Sequence, residues 1–457
     1  MKKKLAILAI VLVVLYPGVV WLLGLATQER MTSELAQLSE QIPWMSIVEQ
    51  HYQRGWYRSQ QELTFELRLP GLLPLPMTVA TTPARGVRFT LRNVIHHGPV
   101  CGSGCFGLAR VETTFVPGPQ IAPFIARLYG STSPLSASTR LGFFGGRSST
   151  VSMPPLRDVA LRNDSRLDWG GLTFNSDISR HADHIELRGV MPGFSVRSAD
   201  GKQLSATRLT IEGSSERALG MLYGGRWDIR LGRVVFSAPG TPAVSVEKIR
   251  IAAQAPVDAG FMDLSEQVGT GAFDAAGTQL RELHFDFAFR HLQLAALAQI
   301  QDQMRAFNRS RGLTLTPDVG ALSAALRQPM QHLLLAHPEL RFDRVGVSTG
   351  NGQLLLTGSI RAPGLTASDF EEQTDPRSLV QKLEVDLDLT LDDRALADIP
   401  ALAAMAQQRL PALRQAGLIA HDNGRWHTHM HLAGGHTTFN GRSIAMPGMA
   451  SPPPAAP

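Results

Sequence analysis

The feature that most constrains the fold is an alternation of apolar and polar residues with period two, which begins at Glu62 and recurs along most of the chain. In the clearest run, 382–391, Glu384, Asp386 and Asp388 alternate with leucine and valine. Successive side chains of a strand point to opposite faces, so each run predicts a strand with one buried and one solvated face. Such strands are typical of antiparallel sheets that are covered on one side. The other runs lie at 62–69, 87–92, 184–190, 204–212, 227–236, 244–251, 283–289, 340–347 and 353–360.

Helical periodicity interrupts the strand pattern at 291–307, 319–335 and 393–416. We expect these helices to cover part of an exposed sheet face. The Ser-, Thr- and Gly-rich segment 131–152 predicts a long loop. The predicted fold class is α+β: an N-terminal transmembrane helix followed by a large, mostly antiparallel, curled β-meander with a few covering helices.

The N-terminus carries three lysines, 2–4, followed by an uncharged apolar run from Leu5 to Ala26. A helix of these 22 residues, rising about 1.5 Å per residue, is long enough to cross a hydrocarbon core of ~30 Å. The pattern predicts an uncleaved signal anchor with a cytoplasmic N-terminus, a single pass through the bacterial inner membrane, and a periplasmic remainder. A signal peptide cleaved after Ala26 is the alternative, although its apolar region is normally only about 7–15 residues long.

The domain organisation follows from these patterns. We expect lysines and a transmembrane helix at 1–27, and an amphipathic stalk helix at 28–43, where Met31, Leu35, Leu38 and Ile42 recur at helical spacing. A β-rich periplasmic domain should occupy 44–445, with a division into 44–290 and 291–445 left open. The Pro-rich tail 446–457 cannot bury enough apolar surface to fold and is predicted to be disordered.

The charge balance argues against nucleic acid as a partner. Removing the three N-terminal lysines from the 44 basic residues leaves 41, against 39 acidic ones. A nucleic-acid-binding domain normally concentrates basic residues on one face or stripe, and no such concentration is present.

Five short stretches together resemble a known family. They are Tyr52–Ser59, which reads Tyr-x-x-Gly-aromatic-x-x-Ser, the His-Gly-Pro at 97–99, the Trp-Gly-Gly at 169–171, the Tyr-Gly-Gly at 223–225 and the Asn-Gly turn at 440–441. In this order they are similar to the YdgA/YihF-like family of bacterial exported proteins, a domain of unknown function. The resemblance implies an inner-membrane-anchored, self-associating periplasmic protein with no established reaction, and it supplies no catalytic residues.

The densest set of potential ligands is His96, His97, Cys101 and Cys105. Two imidazoles and two thiolates could form a tetrahedral zinc site. Adjacent histidines on a strand point to opposite faces, however, so both cannot reach one ion without a bend. We favour a disulfide between Cys101 and Cys105, which an oxidising compartment permits, and predict no metal here; a redox-active pair is a further alternative.

A second histidine cluster alternates along one predicted strand at His427, His429 and His431. Neighbours on one strand face are about 6.8 Å apart, so they could share a metal only if the strand bulged or other ligands joined. The alternative is the polar face of an ordinary strand. Likewise, Asp386 and Asp388 could act as acid–base groups but are more typical of a solvated face.

We expect no Gly-x-Ser-x-Gly nucleophile elbow and no phosphate-binding glycine loop that opens onto a helix, and therefore no enzymatic activity and no cofactor. The first functional hypothesis is a non-enzymatic envelope protein: a membrane-tethered periplasmic domain for protein interaction and self-association. The alternative is a lipid- or hydrophobe-binding module with a curled trough. It requires that apolar residues of 383–391 or 283–289 line a groove and are not fully covered by helices. A thiol- or metal-dependent enzyme at the two cysteines is the third hypothesis.

Overall fold

The computed structural model describes residues 18–29, 31, 45–67, 86–102, 104–161, 164–275, 278–311, 319–370 and 380–444. The chain divides into two compact units. The first is Met1–Val196 with Met304–Val319, and the second is Arg197–Gln303 with Gly320–Pro457.

The first unit contains an open antiparallel sheet in which most strands pair with the next strand in the chain. The order is β1–β2–β3–β4–β5–β6–β9–β10, and the hairpin β7–β8 joins the sheet through β10. The strands are β1 (Met45–Gln53), β2 (Arg58–Leu67), β3 (Val87–His97), β4 (Ala109–Pro117), β5 (Ser136–Leu141), β6 (Arg147–Met153), β7 (Leu156–Ala160), β8 (Arg166–Trp169), β9 (Leu172–Ile178) and β10 (His184–Arg197).

Two helices accompany this sheet: α1, residues 18–29, and α2, Ala122–Tyr129. Helix α1 buries Val20, Gly24 and Thr27, which recur at intervals of four and three residues and therefore share one face. Leu23, next to this face, packs on a core of the sheet. The core residues are Ile95, Leu108, Ala109, Val111 and Leu141.

The second unit contains a larger open antiparallel sheet. Its order is β11–β12–β13–β15–β18–β19–β20–β21–β23–β24–β25, with β14, β16, β17 and β22 as short additions at the ends of longer strands. The strands are β11 (Gln203–Leu219), β12 (Leu222–Ala238), β13 (Thr241–Ala255), β14 (Val257–Asp258), β15 (Phe261–Thr270), β16 (Ala272–Ala275), β17 (Thr278–Leu280), β18 (Glu282–Gln293), β19 (Glu339–Ser348), β20 (Gln353–Arg361), β21 (Glu384–Asp392), β22 (Ala420–Asp422), β23 (Arg425–Ala433), β24 (His436–Phe439) and β25 (Arg442–Ile444).

Four helices follow strands of the second sheet: α3 (Leu294–Arg311), α4 (Val319–Leu335), α5 (Asp393–Ala397) and α6 (Pro400–Gln415). They contribute to two separate cores. In one, Leu294, Leu297 and Leu333 of α3 and α4 pack with Met262 and Leu292 of the sheet. In the other, residues of α5 and α6 pack on β20, β21 and β23; its buried members are Leu354, Ala395, Leu396, Leu410 and Ile419.

The β-rich, antiparallel part of the predicted fold is confirmed, but two parts of the fold class are wrong. The predicted transmembrane helix, Leu5 to Ala26, is not supported: residues 5–17 lie outside the described residues, and 18–29 pack one face on the sheet of the first unit. Among the described residues, no helix combines the length and apolar character needed to cross a bilayer.

The predicted curl is also wrong, because neither sheet is closed or strongly curled. The recurrent strand–turn–strand spacing predicts a meander, but it does not determine whether the sheet bends. In the second unit, helices shield parts of the apolar sheet face, and the rest stays exposed.

Other predictions fall on or near segments outside the described ranges. Residues 30 and 32–43 of the stalk predicted at 28–43, and the whole tail predicted at 446–457, lie outside the described residues. The loop predicted at 131–152 is wrong, because β5 and β6 form a hairpin within it.

Candidate functional site

The two cysteines lie in the loop between β3 and β4. Cys101 and Cys105 form a disulfide with a Cα–Cα distance of 5.1 Å, and both are buried, with 2% and 6% exposed. His96 and His97 end β3 and point to opposite faces: His97 is buried, whereas the side chain of His96 is 34% exposed and lies 3.8 Å from Glu112. The four residues of the predicted zinc alternative therefore do not converge on one point.

His97 belongs instead to a buried polar pair. Its Nε2 lies 2.7 Å from the hydroxyl of Ser59, and each of the two residues is at most 3% exposed. Burial lowers the pKa of His97 below its ordinary value, and the positive charge of Arg54 and the neighbouring His96 lower it further. Its Nδ1 has no hydrogen-bond partner among the described residues. The serine and histidine side chains thus form a polar contact inside the first unit, away from solvent.

The first helix closes over this pair. A Cβ atom added to Gly24 would lie 3.3 Å from the His97 ring, so the absence of a side chain allows α1 to approach closely. Arg54, in the turn between β1 and β2, donates a hydrogen bond of 2.9 Å to the carbonyl of Trp21 and places its guanidinium 4.5 Å above the indole. The N-terminal helix is thus held at a glycine contact and at a cation–π contact.

The expectation that the chain has no Gly-x-Ser-x-Gly motif is wrong. Residues Gly346 to Gly350 have the Gly-x-Ser-x-Gly spacing of a nucleophile elbow. In the structure Ser348 ends β19, where its carbonyl accepts a hydrogen bond from the amide of Arg281, and the chain turns directly into β20. A nucleophile elbow requires a strand-to-helix turn, so the spacing alone carries no catalytic geometry here.

The sheet of the second unit has an apolar face that continues from strand to strand. Directly paired residues of neighbouring strands lie on the same face, so the register traces the surface. One unbroken line of paired apolar residues crosses eight strands, from β11 to β21. Its members are Ile211, Ile229, Ile251, Val268, Phe285, Val345, Leu356 and Leu389.

The part of this face on β12, β13, β15 and β18 is exposed, and we name it the apolar patch. Five of its large side chains are between 37% and 43% exposed: Trp227, Ile251, Leu283, Phe285 and Phe289. The three phenylalanines of β18 form a stripe, because Phe287 contacts Phe285 and Phe289 at ring distances of 5.3 and 5.8 Å. Glu266 of β15 also points to this face, opposite Phe287. The contacts among these rings therefore leave part of their surface exposed to water.

The helices of the second unit cover other parts of the same face. Leu264 of β15 contacts the core that α3 and α4 build, and Leu391 of β21 contacts the core of α5 and α6. The patch lies on other segments of β12, β13, β15 and β18, away from the residues that these two cores contain. The sequence predicted that helices would cover the sheet, but it could not show where the cover ends.

The reverse face of the same sheet is polar, and several of its acids pair with arginines. Asp228 accepts hydrogen bonds from Arg250 at 2.6 Å and from Arg230 at 3.1 Å. The same pairing joins Glu282 to Arg344 at 3.0 Å, Glu384 to Arg361 at 2.7 Å, and Asp392 to Arg425 at 2.6 Å.

Two other acids on this polar face lie opposite histidines of β23. Asp388 is paired with His429 across β21 and β23, and Asp386 with His431. His429 Nδ1 lies 3.0 Å from Asp388 Oδ1, and His431 Nδ1 lies 3.3 Å from Asp386 Oδ2. His427, the third histidine of the predicted cluster, is opposite Thr390 and lies 3.4 Å from Asp422. The sequence identified both groups of residues, but only the register brings them together.

A comparison with known protein families identifies the family of this chain. The family model described as "Bacterial protein of unknown function (DUF945)" matches residues 1–447. The chain belongs to this family. No curated protein and no solved structure matches the chain. Membership therefore assigns no reaction or ligand, and a function has to be argued from the surfaces described above.

Proposed function

We propose that this member of DUF945 is a non-enzymatic interaction protein that self-associates through the apolar patch of its second unit. The observation that carries the proposal is the exposure of Trp227, Ile251 and the phenylalanine stripe on one continuous sheet face. Contiguous exposed apolar surface of this kind normally marks an interaction site. A largely uncharged face can also pack against a copy of itself without charge repulsion, as an isologous interface requires.

The size of the patch is consistent with part of an interface. Four strands at about 4.8 Å spacing and roughly five residues at about 3.4 Å rise give a projected area of about 300 Å². This matches the largest apolar patches of ordinary proteins, which are often functional, but it is below the ~800 Å² per partner of a stable complex. The full interface must therefore extend beyond the patch.

A hydrophobic ligand is the second candidate, since the residues of 283–289 are not fully covered, as that hypothesis requires. The sheet is open and not strongly curled, however, so an acyl chain lying on it would bury only one side. Ligand sites normally bury about 70–90% of the ligand surface. A second protein surface removes more of the patch from water, which favours interaction over lipid carriage.

Two related proposals concern placement. The buried Cys101–Cys105 disulfide supports an exported, oxidising location. Within DUF945, we propose that the chain is one of the YdgA/YihF-like members. This rests on two motifs, the His-Gly-Pro at 97–99 and the Tyr-x-x-Gly-aromatic-x-x-Ser at 52–59.

Sedimentation of the purified protein over a range of concentrations tests the proposal. We expect reversible association that Phe285→Lys weakens at least tenfold, because the substitution places a charge at the centre of the patch. Gln267→Lys, an exposed position on the reverse face of β15, is the matched control and should associate like the unchanged protein. An organic extract of the same sample tests the lipid alternative. If the unchanged protein does not associate but carries phospholipid in fixed stoichiometry, and the Phe285 variant loses that phospholipid, the lipid hypothesis replaces our proposal.

A further inference from the structure

We propose that Asp386, Asp388 and His429 form a binding site for a divalent transition metal of the zinc class on the polar face of the second sheet. This goes beyond the proposed function, since side chains alternate along β21 and the site lies on the face opposite the apolar patch. Within the described residues, one oxygen or nitrogen atom from each of these three side chains lies within 4.8 Å of the others.

The distances suit tetrahedral coordination. Zinc bonds to nitrogen and oxygen are about 2.0–2.2 Å long, which places tetrahedral ligand atoms about 3.4 Å apart. Nδ1 of His429 lies 3.0 Å from an oxygen of Asp388 and 3.9 Å from an oxygen of Asp386. These two separations bracket the required value, so a metal can be accommodated by small side-chain rotations and no change of the backbone.

Register explains why two strands can supply this set. Neighbouring ligands on one strand face are about 6.8 Å apart, too far to share an ion without help. Here Asp386 and Asp388 of β21 meet His431 and His429 of β23 as directly paired residues. His429 therefore joins the two carboxylates of β21, whose oxygens come within 4.8 Å of each other although their backbone positions are farther apart.

The charges around the site also suit a cation. Asp228, Glu282, Glu384 and Asp392 on the same sheet face are neutralised by arginines. Within the described ranges, by contrast, Asp386 and Asp388 form ion pairs with histidines and with no arginine or lysine. Two carboxylates without an arginine or lysine partner among the described residues leave negative charge that a divalent cation compensates.

His431 is a positioning residue in this proposal. With Nδ1 protonated, it donates to the second oxygen of Asp386 at 3.3 Å and fixes the orientation of that carboxylate. Its ring is parallel to that of His429, with 7° between the planes and 6.5 Å between the centroids. The fourth coordination position stays open to water, because Asp388 and His429 are each about half exposed.

Equilibrium dialysis of untagged protein against zinc, followed by metal analysis, tests the site. We expect one zinc ion per chain that depends on the three ligands, and a cobalt-loaded sample with the visible absorption of a tetrahedral site. His429→Ala should abolish this ion, and His431→Ala should weaken its binding by about 10- to 100-fold. His427→Ala is the matched control, because His427 lies on the same strand face but opposite a threonine, and it should bind like the unchanged protein.

Two results would overturn the proposal: no stoichiometric zinc in the unchanged protein, or equal zinc binding in the His427 and His429 variants. Asp388→Asn guards against a folding artefact, because the amide keeps the size and hydrogen-bonding reach of the side chain. If circular dichroism shows a native fold and zinc binding is undiminished, Asp388 is not a ligand and the site as proposed does not exist.

Discussion

The buried imidazole of His97 gives a stability prediction with a definite sign. Its pKa in the folded protein is lowered from the ordinary value of 6.5, whereas the unfolded chain keeps that value. Below pH 6.5 the unfolded state therefore binds a proton that the folded state does not. The contribution of His97 to the free energy of unfolding is therefore fully present above pH 6.5. It declines as the pH falls through 6.5, until the pKa of His97 in the folded protein is reached.

The largest slope from one such proton is about 1.4 kcal/mol per pH unit. We expect His97→Gln to remove this slope, since glutamine stays neutral and can still reach the hydroxyl of Ser59. His96→Gln is the matched control: its side chain is adjacent but 34% exposed, and the slope should remain. Carboxylates that titrate in the same range contribute equally to all three proteins and cancel in the comparison.

The assay is urea unfolding between about pH 8 and about pH 5, with the free energy of unfolding extrapolated to water at each pH. Two outcomes would refute the reasoning. One is equal slopes in the unchanged protein and His97→Gln. The other is a slope that disappears in His96→Gln instead, which would mean that the exposed histidine carries the linkage.

Two further predictions concern the same unit. Replacing Cys101 and Cys105 with alanine should lower the free energy of unfolding by at most about 2 kcal/mol in urea titrations, because the closed loop is very short. A decrease in that free energy of more than twice this value would show that the disulfide does more than constrain the unfolded chain. Gly24→Leu should displace α1, because a side chain there meets the ring of His97, and Trp21 fluorescence should shift; Gly18→Ala, which meets nothing within 4 Å, is the control and should leave the spectrum unchanged.

Local alternation in the sequence predicted the strands that carry it and their antiparallel arrangement, but not strands without it, such as β4 and β5. The run 382–391, for example, contains most of β21, because its apolar and polar residues alternate as in a half-buried strand. The loop prediction at 131–152 failed for the opposite reason. Its strands are serine- and threonine-rich, and partners stabilise them: Thr139 and Ser149, for example, join β5 and β6 by a hydroxyl hydrogen bond of 2.9 Å.

The prediction of a transmembrane helix at Leu5 to Ala26 was wrong because hydropathy does not identify what an apolar segment contacts. Val20, Gly24 and Thr27 are equally compatible with lipid and with a sheet surface. Only the structure shows a close approach of Gly24 to His97, which no pattern within the N-terminal segment could reveal.

The candidate sites depend on long-range register, which the sequence does not contain. His429 and Asp388 are 41 residues apart, and nothing in either strand alone indicates that they are paired. The exposure of Phe285 likewise depends on how far along β18 the cover by α3 and α4 extends. Sequence could therefore identify the residues of both surfaces but not their partners or their cover.

Photo-crosslinking from the apolar patch tests the central claim most directly. A photoreactive amino acid is placed at position 285 in the purified protein, and at position 267 on the reverse face as the control. We predict a covalent dimer from position 285, joined to residues of the apolar patch of the second copy, and none from position 267. Monomer alone from both positions, or equal crosslinking from both, would contradict self-association through this face.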